Sequence, residues 1–273
     1  MENSFRLDTK TYKYKGFIDS FWLKLIAIFA MTVDHVAAAF GPILFNENFN
    51  IYWLMRFFGR LTFPIMAFLL VQGFIHTSNI RKYAGRLLIF ALISIVPYFL
   101  LFHYSEALTF NNILENLLLN NVLFTLFIGL IMLYFVKKTN NFLLEIGIVI
   151  AAMLLSYFSD WGVIGPLIIY IFYKIKNPWL ATIVNFAFFA IDALIDFFID
   201  YQDTIANSGM NNTAAFNWLF DFHSINFGFA LAILVIGLYN GQRGLNNNFI
   251  KLGYYWFYPV HLLVLFLIKM LIV

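Results

Sequence analysis

The chain has 273 residues, of which 62% are hydrophobic, 21% aromatic and 11% charged, and its formal net charge is +3. Soluble globular domains carry about 25% charged and about 45–50% apolar residues, so this composition excludes them. The abundance of Phe, Ile and Leu excludes an intrinsically disordered chain. There is no cysteine, which excludes disulfides and thiolate chemistry. What remains is an all-α, polytopic transmembrane helical bundle.

Nine apolar stretches predict membrane-spanning helices, because a helix needs about 20 apolar residues to cross a bilayer. In chain order they are residues 21–40, 52–73, 83–102, 122–136, 142–158, 163–173, 179–199, 227–238 and 254–272. The sixth is short, and the eighth lengthens if 225–240 is included. We therefore expect about nine spans, with a range of eight to ten, in one helical domain at 21–273. A polar segment at 1–20 precedes it, and we expect no cleaved signal peptide.

The distribution of lysine and arginine predicts the orientation of these spans. If the N-terminus is cytoplasmic, the basic loop residues fall on one side: Arg6, Lys10, Lys13, Lys15, Arg81, Lys82, Arg86, Lys137, Lys138, Lys174, Lys176, Arg243 and Lys251. The opposite loops carry acidic residues: Glu47, Glu106, Glu115, Asp160, Asp200, Asp203 and Asp221. Lys269, near the C-terminus, is expected to extend outward to the interface.

The first two spans contain the densest group of ionisable residues, and each such group costs a few kcal/mol inside a membrane. Asp34 and His35 lie in span one, while Arg56 and Arg60 lie four residues apart on one face of span two. Antiparallel neighbours bring Asp34, His35 and Arg60 to similar depth. One interpretation is a buried ion pair that holds two helices together. The other is a catalytic cluster, with His35 as a general base oriented by Asp34, Arg60 as an oxyanion ligand, and Arg56 as a further candidate.

Two other histidines are weaker candidates. His76 ends span two and is followed by Arg81, Lys82 and Arg86. This group is either an ordinary set of interface anchors or a basic mouth for the phosphates of a nucleotide cofactor. His261 follows a Tyr-Pro pair in span nine, where a hydrogen bond between helices is more common than catalysis.

Asp192, Asp196 and Asp200 recur every four residues and predict an acidic stripe on span seven. The stripe either faces the bundle, marks an early exit from the membrane, or lines a cation path. No metal-binding motif is present, so we expect no metal. The scattered basic residues exclude nucleic-acid binding.

Five segments resemble the TraX family of membrane proteins. They are KLIAIFAMTVDH at 24–35, FGRLTFPIMAF at 58–68, GFIHTSN at 73–79, YAGRLLIFALISIVPY at 83–98 and YWFYPVHL at 255–262. These segments occur in the family's order and lie towards both ends, so the resemblance spans nearly the whole chain.

The resemblance implies acetyl transfer in the bacterial cytoplasmic membrane. The family's namesake acetylates the N-terminal residue of conjugative F-pilin, which implies acetyl-CoA as donor and an amine or hydroxyl on a membrane or cell-surface acceptor. A pilin-like peptide, a cell-wall glycan or a lipid fits that description. On this interpretation His35 or His76 is the base, Arg60 is the oxyanion ligand, and Arg81, Lys82 and Arg86 bind the phosphates of CoA.

Two other functions are open from the sequence. The buried charges and the acidic stripe would also suit a transporter or ion-coupled carrier, although no duplicated half is evident. A non-catalytic assembly partner in the membrane would use the ion pair only for packing. The oligomeric state is not determined.

Overall fold

The computed structural model describes residues 14–41, 48–104 and 120–272. Within these ranges the chain forms α-helices, one 3-10 helix and no β-sheet, which confirms the predicted all-α bundle. The helices are α1 (Ser20–Ala39), α2 (Phe49–Gly59), α3 (Thr62–His76), α4 (Ile80–His103), α5 (Val122–Lys138), α6 (Phe142–Leu155), α7 (Ile164–Lys174), α8 (Pro178–Ser208), α9 (Asn212–His223), α10 (Leu231–Gly237) and α11 (Asn248–Ile272). The 3-10 helix (Ser224–Ala230) joins α9 to α10. Most of the predicted N-terminal segment, together with Glu47, Glu106 and Glu115, lies outside the described residues.

Asparagine starts many of these helices. Its side-chain oxygen accepts a hydrogen bond from a free N–H of the first turn, which replaces a bond that the helix itself cannot supply. Asn48, Asn79, Asn121, Asn141, Asn177 and Asn211 do this for α2, α4, α5, α6, α8 and α9. Asp19 caps α1 in the same way.

Six helical stretches of the described chain are long and apolar enough to cross a membrane. They are Ser20–Ala39, Phe49–His76, Ile80–His103, Pro178–Ser208, Asn212–Gly237 and Asn248–Ile272. Two of them are composite, since α2 and α3 form one stretch and α9, the 3-10 helix and α10 form another. The helical stretch that contains the eighth predicted span is therefore much longer than 227–238. Polar residues in its first half lower the local hydropathy, so the sequence did not mark that half as part of a span.

The fifth and sixth predicted spans form a hairpin of two apolar helices that are shorter than the other candidate spans. α6 has 14 residues and α7 has 11, which at 1.5 Å per residue gives about 21 and 16 Å, against a hydrocarbon core of about 30 Å. Both open ends lie beside lysine-bearing turns, and Glu145 on α6 pairs with Lys174 on α7. The hairpin thus begins and ends at the same end of the bundle.

The ends of the bundle differ in charge, as predicted. One end, called the basic end below, contains the first turns of α1, α4, α6, α8 and α11 and the last turns of α3, α5 and α7. Backbone hydrogen bonds join the chain before α1 to the chain after α10, from Ile18 N to Leu238 O at 2.9 Å and from Asn240 N to Ile18 O at 2.9 Å. At the opposite end Lys269 donates to the carbonyl of Leu101 at 3.2 Å, which satisfies the last turn of α4.

The break between α2 and α3 places two arginines beside α1. Pro64 has no N–H to bond the carbonyl of Arg60, so the helix cannot run on unchanged through this point. Gly59, just before the break, has no side chain, and a Cβ there would lie 2.1 Å from Asp34 Oδ1. Glycine is therefore what allows α2 to approach the carboxylate of α1.

Candidate functional site

The ion pair in the bundle joins Asp34 to Arg56. Asp34 Oδ1 lies 2.7 Å from Arg56 Nη1, and the two side chains are 18% and 19% exposed. The sequence placed Asp34 with His35 and Arg60; all three side chains line one cavity, but Asp34 forms its ion pair with Arg56. The side chains of consecutive residues on a helix point in directions about 100° apart, so the Asp34 and His35 side chains cannot face each other.

His35 instead bonds to His261 of α11. The two rings are nearly coplanar, with His35 Nδ1 2.7 Å from His261 Nε2. His261 Nδ1 lies 2.8 Å from the carbonyl of Phe257, to which it donates. In the neutral pair this leaves His261 Nε2 as an acceptor, so His35 Nδ1 carries the proton. The basic lone pair of His35 is then on Nε2, as a general base requires.

Arg60 lies at the end of α2 without a close partner. Its Nε is shielded from solvent and has no hydrogen-bond partner, and no ion pair joins Arg60 to a residue within the described ranges. Buried guanidinium groups are normally paired. An unpaired one in a cavity wall is available to bind an anion or a developing negative charge.

A cavity of about 520 Å³ runs from the basic end to this cluster. The first cavity, as we call it, is lined at its inner end by Asp34, His35, Arg60 and Asp160, and near the basic end by His76. Ligand sites in proteins are commonly about 300–1,000 Å³, so the volume is sufficient for a small molecule. His35 lies eleven residues beyond Lys24 on α1, which corresponds to a depth of about 16 Å from the mouth.

Four cations surround the mouth of the first cavity: Lys24, Arg86, Arg243 and Lys251. None of them forms an ion pair with a carboxylate in the described part of the chain. Lys24 lies over the ring of Tyr254 at 5.1 Å, and the Nε of Arg86 has no hydrogen-bond partner. Arg81 and Lys82, predicted to bind phosphates with Arg86, are exposed and do not line the cavity.

His76 also lies at the mouth rather than beside the buried cluster. The His76 Nδ1 donates to the carbonyl of Gln72 at 2.8 Å. The backbone carbonyl of His76 accepts a hydrogen bond from Arg243 at 3.3 Å. The side chain is exposed. It is therefore separated by the length of the cavity from His35, the other candidate base.

A second cavity, of about 390 Å³, shares three wall residues with the first: Arg60, Asp160 and Trp161. It extends toward the end opposite the basic end, where Tyr52 and His223 line it. The two cavities thus approach the same three side chains from opposite ends of the bundle.

The turn between α6 and α7 forms this shared wall. Trp161 has a φ of 64°, and Gly162 follows with a φ of 24°. A left-handed tryptophan is unfavourable and persists only where neighbours hold it. Thr125 donates to the carbonyl of Asp160 and Ser156 donates to that of Gly162, while the Trp161 ring stacks on Phe63 at 4.5 Å. The sequence had placed Asp160 in an external loop, whereas in the structure it is half-buried and lines both cavities.

The TraX protein family matches residues 20–269. The chain belongs to the TraX family. It is 31% identical over 259 residues to the probable fimbrial assembly protein FimC, serogroup H1, of Dichelobacter nodosus, covering 92% of this chain and 96% of that relative. No solved structure matches this TraX-family chain.

Several residues of the TraX-family site were not identified from the sequence. Lys24 lies within an apolar stretch of the sequence, where a charged residue is uncommon, and this could have marked it. Arg243 and Lys251 looked like ordinary loop cations, and only the fold turns them toward the cavity. Within the described ranges no group of three or more His, Asp or Glu side chains could hold a metal ion.

Proposed function

We propose that this TraX-family protein is an integral membrane acyltransferase that moves an acetyl group from acetyl-CoA to an amine or hydroxyl of a membrane or cell-surface acceptor. The observation that carries the proposal is the first cavity, which extends from a mouth lined by four cations to His35. We assign the basic end to the cytoplasm from the positive-inside rule, with the protein in the bacterial cytoplasmic membrane.

The cavity suits acetyl-CoA in charge and in depth. The phosphates of CoA require cations, which Lys24, Arg86, Arg243 and Lys251 supply without competing carboxylate partners. His35 lies deep in the bundle, whereas a CoA head group must remain near the cytoplasm. A continuous cavity about 16 Å deep would admit the flexible arm of CoA between the helices and so connect the two.

His35 and Arg60, at the inner end of the first cavity, have different roles in the proposed acetyl transfer. His35 Nε2 takes the proton of the attacking amine or hydroxyl as that atom bonds to the thioester carbonyl carbon. Arg60 binds the oxygen on which negative charge develops. The carbon–sulfur bond then breaks, and the leaving thiolate takes the proton from His35. The products are the acetylated acceptor and CoA, and His35 returns to its neutral form.

The acceptor is proposed by class only. The similar protein from Dichelobacter nodosus is named a probable fimbrial assembly protein, which supports a pilin-like peptide in an assembly pathway. A glycan or lipid of the cell surface could present the same amine or hydroxyl nucleophile. Fold and cavity do not select among them.

The test is transfer of labelled acetyl from acetyl-CoA by the purified full-length protein in lipid nanodiscs, together with calorimetric binding. We expect acetyl-CoA to bind, and His35→Ala to retain binding while losing at least about 100-fold in acetyl transfer, as is typical when a general base is removed. His103→Ala is the matched control, since His103 lines neither cavity. Absence of acetyl-CoA binding, or full transfer by His35→Ala, would contradict the proposal.

A second prediction separates the cavity mouth from the nearby exposed cations. Lys24→Gln and Arg243→Gln should each weaken acetyl-CoA binding by about tenfold, the equivalent of one charge-assisted hydrogen bond of about 1.5 kcal/mol. Arg81→Gln and Lys82→Gln should leave the affinity within about twofold. Equal effects in both pairs would mean that the donor binds outside the cavity.

An ion-coupled carrier is the second candidate, and one observation favours it: two cavities from opposite ends meet at Arg60 and Asp160. A carrier needs such a central site. Solute flux in proteoliposomes lacking CoA would support the carrier, whereas CoA release that depends on an external acceptor would support the acyltransferase.

A further inference from the structure

Two tyrosine hydroxyls on α11 face the first cavity and have no role in the chemistry proposed so far. Tyr254 and Tyr258 both line the cavity, and with His261 they are spaced by four and then three residues, so the three share one face of the helix. Since α11 begins at the basic end, Tyr254 lies nearest the mouth, where the ammonium of Lys24 lies over its ring. Tyr258 lies one turn deeper, next to the histidine pair.

The hydroxyl of Tyr258 is buried and has no hydrogen-bond partner among the described residues. The residue is 4% exposed. The backbone N–H of Val122, in the first turn of α5, faces the hydroxyl, but an N–H is a donor and leaves the proton of the hydroxyl without an acceptor. A buried hydroxyl in this condition costs free energy unless a ligand supplies the missing acceptor.

The ring of Tyr258 places this hydroxyl beside the proposed base. Its centroid lies 6.2 Å from that of His35 and 5.5 Å from that of His261, with interplanar angles of 66° and 61°. These edge-on contacts are an observation independent of the unpartnered hydroxyl. A ligand group that reaches His35 through the first cavity therefore lies beside Tyr258 as well.

Three atoms of the reacting groups come close to His35, and one of them suits a hydroxyl donor. The nucleophilic atom of the acceptor gives its proton to His35 and uses its lone pair for the attack, so a donor bound to that lone pair would oppose the reaction. The thioester sulfur is a weak acceptor. The carbonyl oxygen has two lone pairs, of which Arg60 takes one.

We infer that the Tyr258 hydroxyl donates a hydrogen bond to the carbonyl oxygen of the acetyl thioester, on the lone pair that Arg60 leaves free. The inference rests on the proposed acetyl transfer and adds the residue that recognises the acyl group. As the acceptor atom bonds to the carbonyl carbon, an electron pair moves onto the oxygen, where Tyr258 and Arg60 bind it. The pair returns when the carbon–sulfur bond breaks, and Tyr258 keeps its proton throughout.

The first experiment measures binding of two unreactive donors to the full-length protein in nanodiscs. In the ketone analogue of acetyl-CoA a methylene replaces the sulfur, and in S-ethyl-CoA a methylene replaces the carbonyl. Tyr258→Phe should lower the preference for the ketone at least about fivefold, the equivalent of one neutral hydrogen bond. Tyr254→Phe removes another unpartnered hydroxyl of the same cavity and should change both affinities by the same factor.

Infrared spectroscopy of the bound ketone, isotope-labelled at its carbonyl, reports on the contact itself. A hydrogen bond to the oxygen lowers the carbonyl stretching frequency, so Tyr258→Phe should raise that frequency and Tyr254→Phe should not. Without ligand, Tyr258→Phe should unfold at the wild-type temperature or above it, because the variant loses a buried hydroxyl that has no partner. A lower unfolding temperature would mean that the hydroxyl bonds within the protein, and it would overturn the inference.

Turnover is measured as release of CoA from acetyl-CoA with hydroxylamine, a small acceptor whose nitrogen and oxygen are both nucleophilic. Tyr258→Phe should lower kcat about 100-fold, as is typical when one donor to an oxyanion is removed. Tyr134→Phe is the control, since Tyr134 lines neither cavity. Wild-type turnover by Tyr258→Phe would overturn the inference.

Two outcomes separate this inference from the proposed function. If the wild-type protein binds acetyl-CoA but Tyr258→Phe keeps the analogue preference and the carbonyl frequency of wild type, the role of Tyr258 is wrong and the donor site stands. If the wild-type protein does not bind acetyl-CoA, the proposed function is wrong and this inference falls with it.

Discussion

Replacing His261 tests whether the histidine pair positions the proposed base. His35 donates to His261 across 2.7 Å, and both side chains are 7% exposed. His261→Phe keeps an aromatic ring that can stack on Phe257 as His261 does, at 5.0 Å. It removes the acceptor, so the His35 N–H is left buried and unsatisfied at a cost of about 1–3 kcal/mol.

If that cost is expressed in the transition state, kcat falls by about 5- to 150-fold, since each 1.36 kcal/mol is a factor of ten. His261 does not line the first cavity, so the KM for acetyl-CoA should remain unchanged. The assay is steady-state acetyl transfer, with thermal unfolding to confirm that the variant is folded and His103→Phe as the control. A folded His261→Phe enzyme whose kcat stays within twofold of wild type would refute the positioning role.

Two further predictions concern the ion pair beside this site, and thermal unfolding in nanodiscs measures both. Gly59→Ala brings a Cβ to 2.1 Å from Asp34 Oδ1, so it should destabilise the fold by about 1–3 kcal/mol. Gly85→Ala is the control, because a Cβ there meets nothing within 4 Å. That variant should be neutral or should stabilise the fold by about 0.5–1 kcal/mol. Arg56→Gln leaves the Asp34 carboxylate unpaired and should cost about 3 kcal/mol, more than the Arg56→Gln, Asp34→Asn double variant. Equal losses in the two glycine variants, or in the single and double charge variants, would contradict this account of the contacts.

The membrane helices were predictable from the sequence because hydropathy depends only on the local run of residues. A stretch such as Ile80–His103 is long and apolar enough that no tertiary contact is needed to recognise it. The same local logic marks α6 and α7 as apolar, but it does not fix their length. The structure shows that each is shorter than the other candidate spans.

Candidate site residues were recognisable for a related reason. A charge inside an apolar run is costly wherever it occurs, so the positions of Asp34, His35, Arg56 and Arg60 in the sequence are enough to mark them. Their partners were not recognisable, because a pairing depends on side-chain direction and on helices far apart in the chain. His35 and His261 are 226 positions apart.

The sequence by itself determined that this protein is a helical membrane bundle with a basic end and with charges on its first two helices. Hydropathy, charge and resemblance to the TraX family are properties of the chain, and folding does not alter them. Only the tertiary structure decided that Arg56 and not Arg60 forms the ion pair with Asp34, that Asp160 lines both cavities, and that the two cavities share one wall. Those features follow from how the helices pack, since an empty space and an unpaired guanidinium exist only between elements that the fold brings together.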